Sequence, residues 1–454
     1  MSESAAPNGH DRRTFMAYFA SLGLGGTLLP GVLWAKMAEG AEITTDTIAC
    51  AEEIAGLDLS AEQREVILED LKQQREQIDA LHQVPLPNDL VPAILFNPLL
   101  PGMNPGAGEQ RGRRGQRMVR SRVAVRERPG SLEELAFLPV AELSELVRRR
   151  RVSSVELTRM YLDRIRRLDP TLLAVVNLTE ERALRQAREA DEEIRRGRYR
   201  GPLHGIPWGA KDLLAVEGYP TTWGVSVYRE TMLEGDATVV ERLDRAGAVL
   251  IAKLTLGELA WGDVWFGGMT RNPWKVEQGA SGSSAGPGSA TAAGMVGFSI
   301  GSETLGSISS PSTRSGVTGL RPTFGRVPRT GAMALSWTMD KLGPMCRSAE
   351  DCALVFGSIY GPDGQDLTVH QAPFIWDARI GPRQLRIGYF QKAFERDEEQ
   401  YASKPFDLAT LEVLRSLGAN LIPVELPEVP YSTMSLILSA EAGAAFDEYT
   451  RTGH

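Results

Sequence analysis

Residues Gly279–Pro311 read GASGSSAGPGSATAAGMVGFSIGSETLGSISSP. Two serines within them, Ser283 and Ser307, are set among glycines and other small residues and separated by an apolar run. Glycine permits positive φ and lets a backbone approach a ligand closely. A serine on such a turn can stand beside backbone N–H groups that stabilise an oxyanion. Between the serines, Gly286–Gly294 suits a tightly packed helix behind the serine loop. Met295–Ile300 suits a buried strand. Upstream lies Lys211, in GIPWGAKDLL. One lysine and two serines are enough to activate a nucleophile without histidine.

Outward from this stretch the pattern is that of a packed α/β domain beginning near Leu132. Val140–Arg150 and Ser154–Leu168 read as amphipathic helices, with Ser153 or Ser154 as cap and Pro170 as stop. Glu180–Arg196 is a further helix, ended by Gly197. Ala248–Ala252 is a short continuous apolar run of the kind a buried strand shows. Leu385–Phe390, Asp407–Leu417 and Asn420–Val424 repeat strand, helix, strand. The expected architecture is one central mixed β-sheet flanked by helices on both faces. A small helical segment precedes it over 42–98, where Ser60-Ala61-Glu62-Gln63 forms a capping box. Residues 99–130 form an Arg/Gly/Pro-rich stretch with eight arginines between Arg111 and Arg128. A solvated linker accounts for it, the alternative being a patch for an anionic surface.

The chain opens with a twin-arginine pattern, Asp11-Arg12-Arg13-Thr14-Phe15-Met16, so residues 1–41 read as an export address. The protein is thus expected to engage the export machinery and to work in the periplasm or outside the cell. A membrane anchor fits less well, because the apolar stretch Ala17–Trp34 is short and holds Gly23, Gly25, Gly26 and Pro30. The 454 residues carry a formal charge of −8, which argues against a nucleic-acid partner. Three cysteines are too few for a disulfide framework. Cys346 and Cys352 lack the neighbours of a zinc site. Five histidines leave a Ser-His-Asp arrangement poorly supplied. No metal or cofactor is expected.

Three blocks in order resemble the amidase signature family of serine hydrolases. GPLHGIPWGAKDLLAVEGYPTTWG is similar to its lysine block. MTRNPW followed by GASGSSAGPGSA is similar to its Gly-Ser-Ser block, and GSETLGSISSPSTRSGVTGLRPTFGRVP to its nucleophile block. The resemblance runs from about Leu132 to the end and makes 131–454 the amidase domain. It implies Ser307 as nucleophile, Ser283 as proton bridge after a cis Gly282–Ser283 peptide, and Lys211 as base. The backbone N–H groups of Thr304, Leu305, Gly306 and Ser307 become the oxyanion hole. The substrate class it implies is a small-molecule or peptide amide. Burial must lower the Lys211 pKa for it to accept a proton at neutral pH.

The same blocks depart from the family pattern. Ser281-Gly282-Ser283-Ser284-Ala285-Gly286 replaces the usual Gly-Gly-Ser-Ser-Gly-Gly. Glu303 replaces an Asp, Leu305 a glycine, and Ser309 an arginine that generally pairs with the acid. Glu303 is accordingly expected to be oriented differently. His204 reads as structural. Asn272, Pro273 and Trp274 either shape a pocket floor or form a turn, and Asp212 either orients the loop or is exposed. Family domains commonly continue beyond the point matching His454, so the resemblance implies a domain lacking the last part of the sheet. Two other readings compete with the hydrolase. One is the glutaminase-like subunit of a tRNA-dependent amidotransferase, and the other a catalytically silent scaffold of the same fold.

Overall fold

A computed structural model describes residues 42–55, 58–85, 88, 90, 95–99, 118–124, 126–396, 401–429 and 431–452. The expected export address over 1–41 and most of the linker, 100–117 and 125, lie outside the described residues. The chain divides into two compact units. The first draws its described residues from the chain before Pro92, from Ala334–Trp337 and from the segment after Ser432. Helices α1 (Thr45–Ala55) and α2 (Ala61–Leu81) belong to it. The capping box at the start of α2 is present, with Ser60 N donating to Gln63 Oε1 at 2.7 Å and Gln63 N to Ser60 Oγ at 3.3 Å. An Arg64–Glu52 ion pair at 2.8 Å ties α2 to α1. Asn88 binds the backbone of Ala334 in both directions and donates to Ala445 O, joining distant stretches of chain.

The second unit is built on a six-stranded sheet. Its strands are β1 (Val175–Leu178), β2 (Pro207–Lys211), β3 (Val249–Leu254), β4 (Phe298–Glu303), β5 (Thr318–Gly319) and β6 (Lys341–Cys346). Their spatial order is β5-β6-β4-β2-β3-β1. β2 runs parallel to both β3 and β4, while β1, β5 and β6 pair antiparallel. Every residue of β2, β3 and β4 is buried. Successive side chains of a strand point to opposite faces, so both faces of this sheet are covered.

Helices α3 (Val140–Arg148), α4 (Ser154–Leu172), α5 (Glu180–Arg195), α6 (Thr238–Arg245), α7 (Ala285–Ala292), α8 (Ser309–Ser315) and α9 (Ala349–Ile359) flank it. The expected capping residue of α4 is Ser153, whose side chain accepts from Glu156 N while Glu156 reaches back to Ser153 N. On α5, Ala183, Ala187, Ala190 and Ile194 form the buried stripe, and Gly197 at φ 81° follows its end.

Three expectations need correction. Pro170 lies inside α4 instead of stopping it. Left-handed Leu173 ends the helix, its N–H on Asp169 O at 2.8 Å, while the Asp169 carboxylate takes the next two amides. The apolar run at Met295 begins as buried loop, and the strand starts only at Phe298. Arg386–Phe390 and Asn420–Val424 do not join the main sheet; they form a separate parallel pair.

Candidate active site

The parallel strands β2, β3 and β4 end side by side, which is where open α/β sheets place ligands. Lys211 ends β2, Lys253 is the penultimate residue of β3, and Ser302 and Glu303 end β4. Ser283 arrives from the turn before α7, across a cis Gly282–Ser283 peptide. The backbone is tightly approached there. A Cβ on Gly282 would meet Gly262 O at 1.7 Å, and one on Gly286 would meet Thr255 N at 2.4 Å. Only glycine lets α7 sit this close to the strand ends.

Lys211 is fully buried. Its Nζ lies 2.8 Å from Ser283 Oγ, 3.0 Å from Ser284 Oγ and 2.9 Å from Ser302 Oγ, with Ser302 O at 3.4 Å. All four neighbours are neutral oxygens. Burial therefore pushes the lysine down to about 7, against the opposing pull of the Asp340 and Glu303 carboxylates. Ser284 Oγ donates to Ser302 O at 3.0 Å and accepts from Ser302 N at 3.2 Å. With those bonds made, it can only accept from Lys211. A neutral amine has two hydrogens and one lone pair, so in that form Lys211 can donate to two of these oxygens and accept from a third, Ser283 Oγ and Ser302 Oγ both being hydroxyls able to donate.

Ser307 lies on the loop between β4 and α8 and is partly exposed. Its carbonyl accepts from Ser284 N at 3.1 Å, which fastens that loop to the cis turn. Among the described residues no hydrogen bond joins Ser283 Oγ to Ser307 Oγ. Buried Glu303 organises the same loop, its Oε2 accepting from Ile308 N and Ser309 N at 2.9 Å and from Ser309 Oγ at 3.0 Å. These amides, with the Gly306 N–H that also faces the carboxylate, hold Glu303 below the usual carboxylate range against its burial. Arg321, 3.5 Å from Glu303 Oε1, supplies the cation that Ser309 cannot.

Asp212 is buried, not exposed, and its Oδ1 lies 2.8 Å from Lys253 Nζ, each residue showing no accessible surface. Thr222 N and Oγ1 donate to Oδ2. His204 is buried: Nδ1 accepts from Arg200 N, which fixes the neutral ring, and burial pushes it down to about 4. Asn272 and Trp274 form a turn. Asn272 Oδ1 accepts from Trp274 N, and the two side chains donate to Arg314 O and Ser315 O in the last turn of α8. Sequence reasoning does not single out Ser284, Ser302 or Lys253. A lysine at the end of the apolar run AVLIAKL is the available signal for Lys253.

A family model described as Amidase matches residues 156–452. The glutamyl-tRNA(Gln) amidotransferase of Thermoanaerobacter pseudethanolicus contains a subunit that is 35% identical over 331 residues, covering 71% of this chain and 67% of that protein. The native peptide amidase of Stenotrophomonas maltophilia has a similar structure, at TM-score 0.63 and 34% identity over 70% of this chain and 69% of that one. The corresponding subunit of the glutamyl-tRNA(Gln) amidotransferase from Thermotoga maritima matches at TM-score 0.60 and 28% identity, over 72% and 70% respectively.

Proposed function

The chain belongs to the amidase family and acts on amide C–N bonds, and from that premise we propose that it does so through an acyl-enzyme on Ser307. Ser307 Oγ attacks the amide carbonyl carbon as its proton passes to Ser283 Oγ and the Ser283 proton passes to Lys211 Nζ. The backbone N–H groups of the loop receive the oxyanion. The C–N bond then breaks as the relay returns a proton to the leaving nitrogen. Water attacks the resulting ester, giving its proton to the relay and releasing the carboxylic acid and Ser307. The observation that carries this reading is the 2.8 Å contact of a fully buried Lys211 with Ser283, with no carboxylate among the described residues touching the amine. The missing Ser283–Ser307 bond fits the mechanism, since such bonds often tighten only in the substrate complex.

Ser307→Ala is expected to lower kcat by at least about 10³-fold in a protein with unchanged circular dichroism, and to abolish labelling by a fluorophosphonate. Undiminished turnover would overturn the assignment. Absence of labelling in the wild-type protein would favour the silent scaffold.

Two amides are the natural first substrates. Likeness to the peptide amidase favours a C-terminally amidated peptide, whereas 35% identity to the amidotransferase component favours glutamine hydrolysis beside partner subunits. We favour the former together with export, on the twin-arginine pattern at Arg12-Arg13. Ammonia release from peptide amides but not from glutamine supports it, as does translocation of a reporter fused to residues 1–41. Co-purification with tRNA and partner subunits would favour the latter.

A further inference from the structure

Among the described residues, Lys211 and Lys253 are fully buried at the ends of neighbouring parallel strands, and of the two Lys253 touches a carboxylate. Asp212 directly follows Lys211 in the chain. Its backbone N–H continues the β2–β3 ladder onto Leu254 O at 2.8 Å, which sets it beside Lys253. Lys253 Nζ donates to Pro220 O at 2.7 Å and Thr221 Oγ1 at 2.5 Å and forms an ion pair with Asp212 Oδ1 at 2.8 Å. The other oxygen of the Asp212 carboxylate accepts from Thr222 N and Oγ1. This geometry favours the charged forms of both residues. It opposes the burial that pushes Lys253 down and Asp212 up.

We propose that Lys253 is a positioning residue for the proton relay: by committing the Asp212 carboxylate, it keeps Lys211 the neutral one of the two buried lysines. The proposal rests on Lys211 as the base. Among the described residues, the other charges that act on Lys211 are Glu303, at the end of β4, and Asp340, just before β6; α7 carries no charged residue. Both already favour a protonated Lys211. Glu303 is occupied by the loop amides and Arg321, and Asp340 accepts from Thr304 Oγ1 at 2.5 Å. An unbalanced charge on Asp212 would be a third pull in the same direction, from the adjoining residue.

The test is the pH profile of kcat/KM on an aryl amide substrate. Lys253→Gln keeps donors near Pro220 and Thr221 but removes the charge. Its acid limb is expected to move up by about one pH unit, the size of shift that an uncompensated opposite charge nearby produces. Activity at pH 7 falls accordingly and returns at higher pH. Adding Asp212→Asn restores the wild-type midpoint. An unmoved limb in Lys253→Gln, or one that stays raised in the double variant, overturns the proposal. If Lys253→Gln does not fold, Asp212→Asn decides: its limb lies at or below the wild-type position, and a rise is the overturning result. The base itself is tested separately, because Lys211→Ala must abolish turnover whatever the Lys253 variants do. If that loss is seen and the limb stays in place, only the role of Lys253 falls.

Discussion

At the scale of single residues, the site turns on which buried lysine is neutral. Lys211 is surrounded by hydroxyl and carbonyl oxygens, whereas Lys253 lies against a carboxylate; that difference is what suits Lys211 to the proposed role of base. With the Lys211 pKa down at about 7, the neutral, active form gains population as pH rises through that value. The rate is therefore expected to fall about tenfold per pH unit below 7 and to level off above it. The same depression is a stability statement. Between about 7 and the unfolded value near 10.4, the unfolded chain binds a proton that the folded chain does not, so stability rises with pH across that window. Lys211→Met lacks this slope. The wild-type melting temperature should gain on that of Lys211→Met between pH 7 and pH 10, and a constant gap would show that Lys211 is charged in the fold. Sequence alone exposes Lys211, Ser283 and Ser307 through their blocks. Asp212 stays open, because its role depends on Lys253, 41 positions away.

At the scale of elements, the departures Glu303 and Ser309 prove to be mutually adjusted. Ser309, in place of an arginine, donates from both N and Oγ to Glu303, and Arg321 reaches the other carboxylate oxygen. The β4–α8 loop is thus wound around one side chain. Glu303→Gln keeps the volume and one acceptor oxygen but loses the charge and sets an NH2 against either the loop amides or Arg321. It is expected to lower kcat by about 10²-fold, the effect of one disturbed oxyanion donor, with a smaller change in KM. Ser309→Ala, which loses only the 3.0 Å hydroxyl contact, is expected to cost less than about tenfold. Equal effects of the two changes would show that the carboxylate does not organise the loop. Element types are legible from periodicity, and several boundaries are not. Pro170 sits in the last turn of α4, where the chain can continue because Leu173 and Asp169 supply the cap. Met295 and Val296 are as apolar as the strand they precede but lie in a buried turn, and hydropathy does not distinguish the two. The strand at Ala248 looks complete before Lys253, yet it runs on to Leu254 because that charge finds Asp212.

At the scale of the molecule, the mixed sheet and its flanking helices follow the sequence pattern. The separate pairing of Arg386–Phe390 with Asn420–Val424 does not, since strand patterns do not carry their partners. The whole chain also determines whether acid silences the enzyme or unfolds it. Glu156 is held at about 2, mainly by Arg128, and Glu303, Asp363 and Asp366 are also lowered. A carboxylate lowered in the fold contributes stability that is present above its unfolded value near 4 and lost only as pH falls through its folded value. Asp169, Asp191, Asp244 and Asp351 are raised by burial, so protons favour their folded form. His204 acts against these, because an unfolded histidine takes a proton near 6.5 and the buried ring does not until about 4. At pH 5.5 that one ring costs at most about 1.4 kcal/mol, a small part of the roughly 5–15 kcal/mol of a typical domain. Lys211 adds no further loss below 7, where both states hold its proton. The enzyme should therefore lose about 15-fold of its rate on transfer from pH 7 to pH 5.5, by protonation of a base of pKa near 7, with its far-ultraviolet circular dichroism unchanged. Return to pH 8 should restore the full rate within the mixing time. Slow or incomplete recovery, or a loss of ellipticity that follows the loss of rate, would mean that acid acts on the fold and not on Lys211.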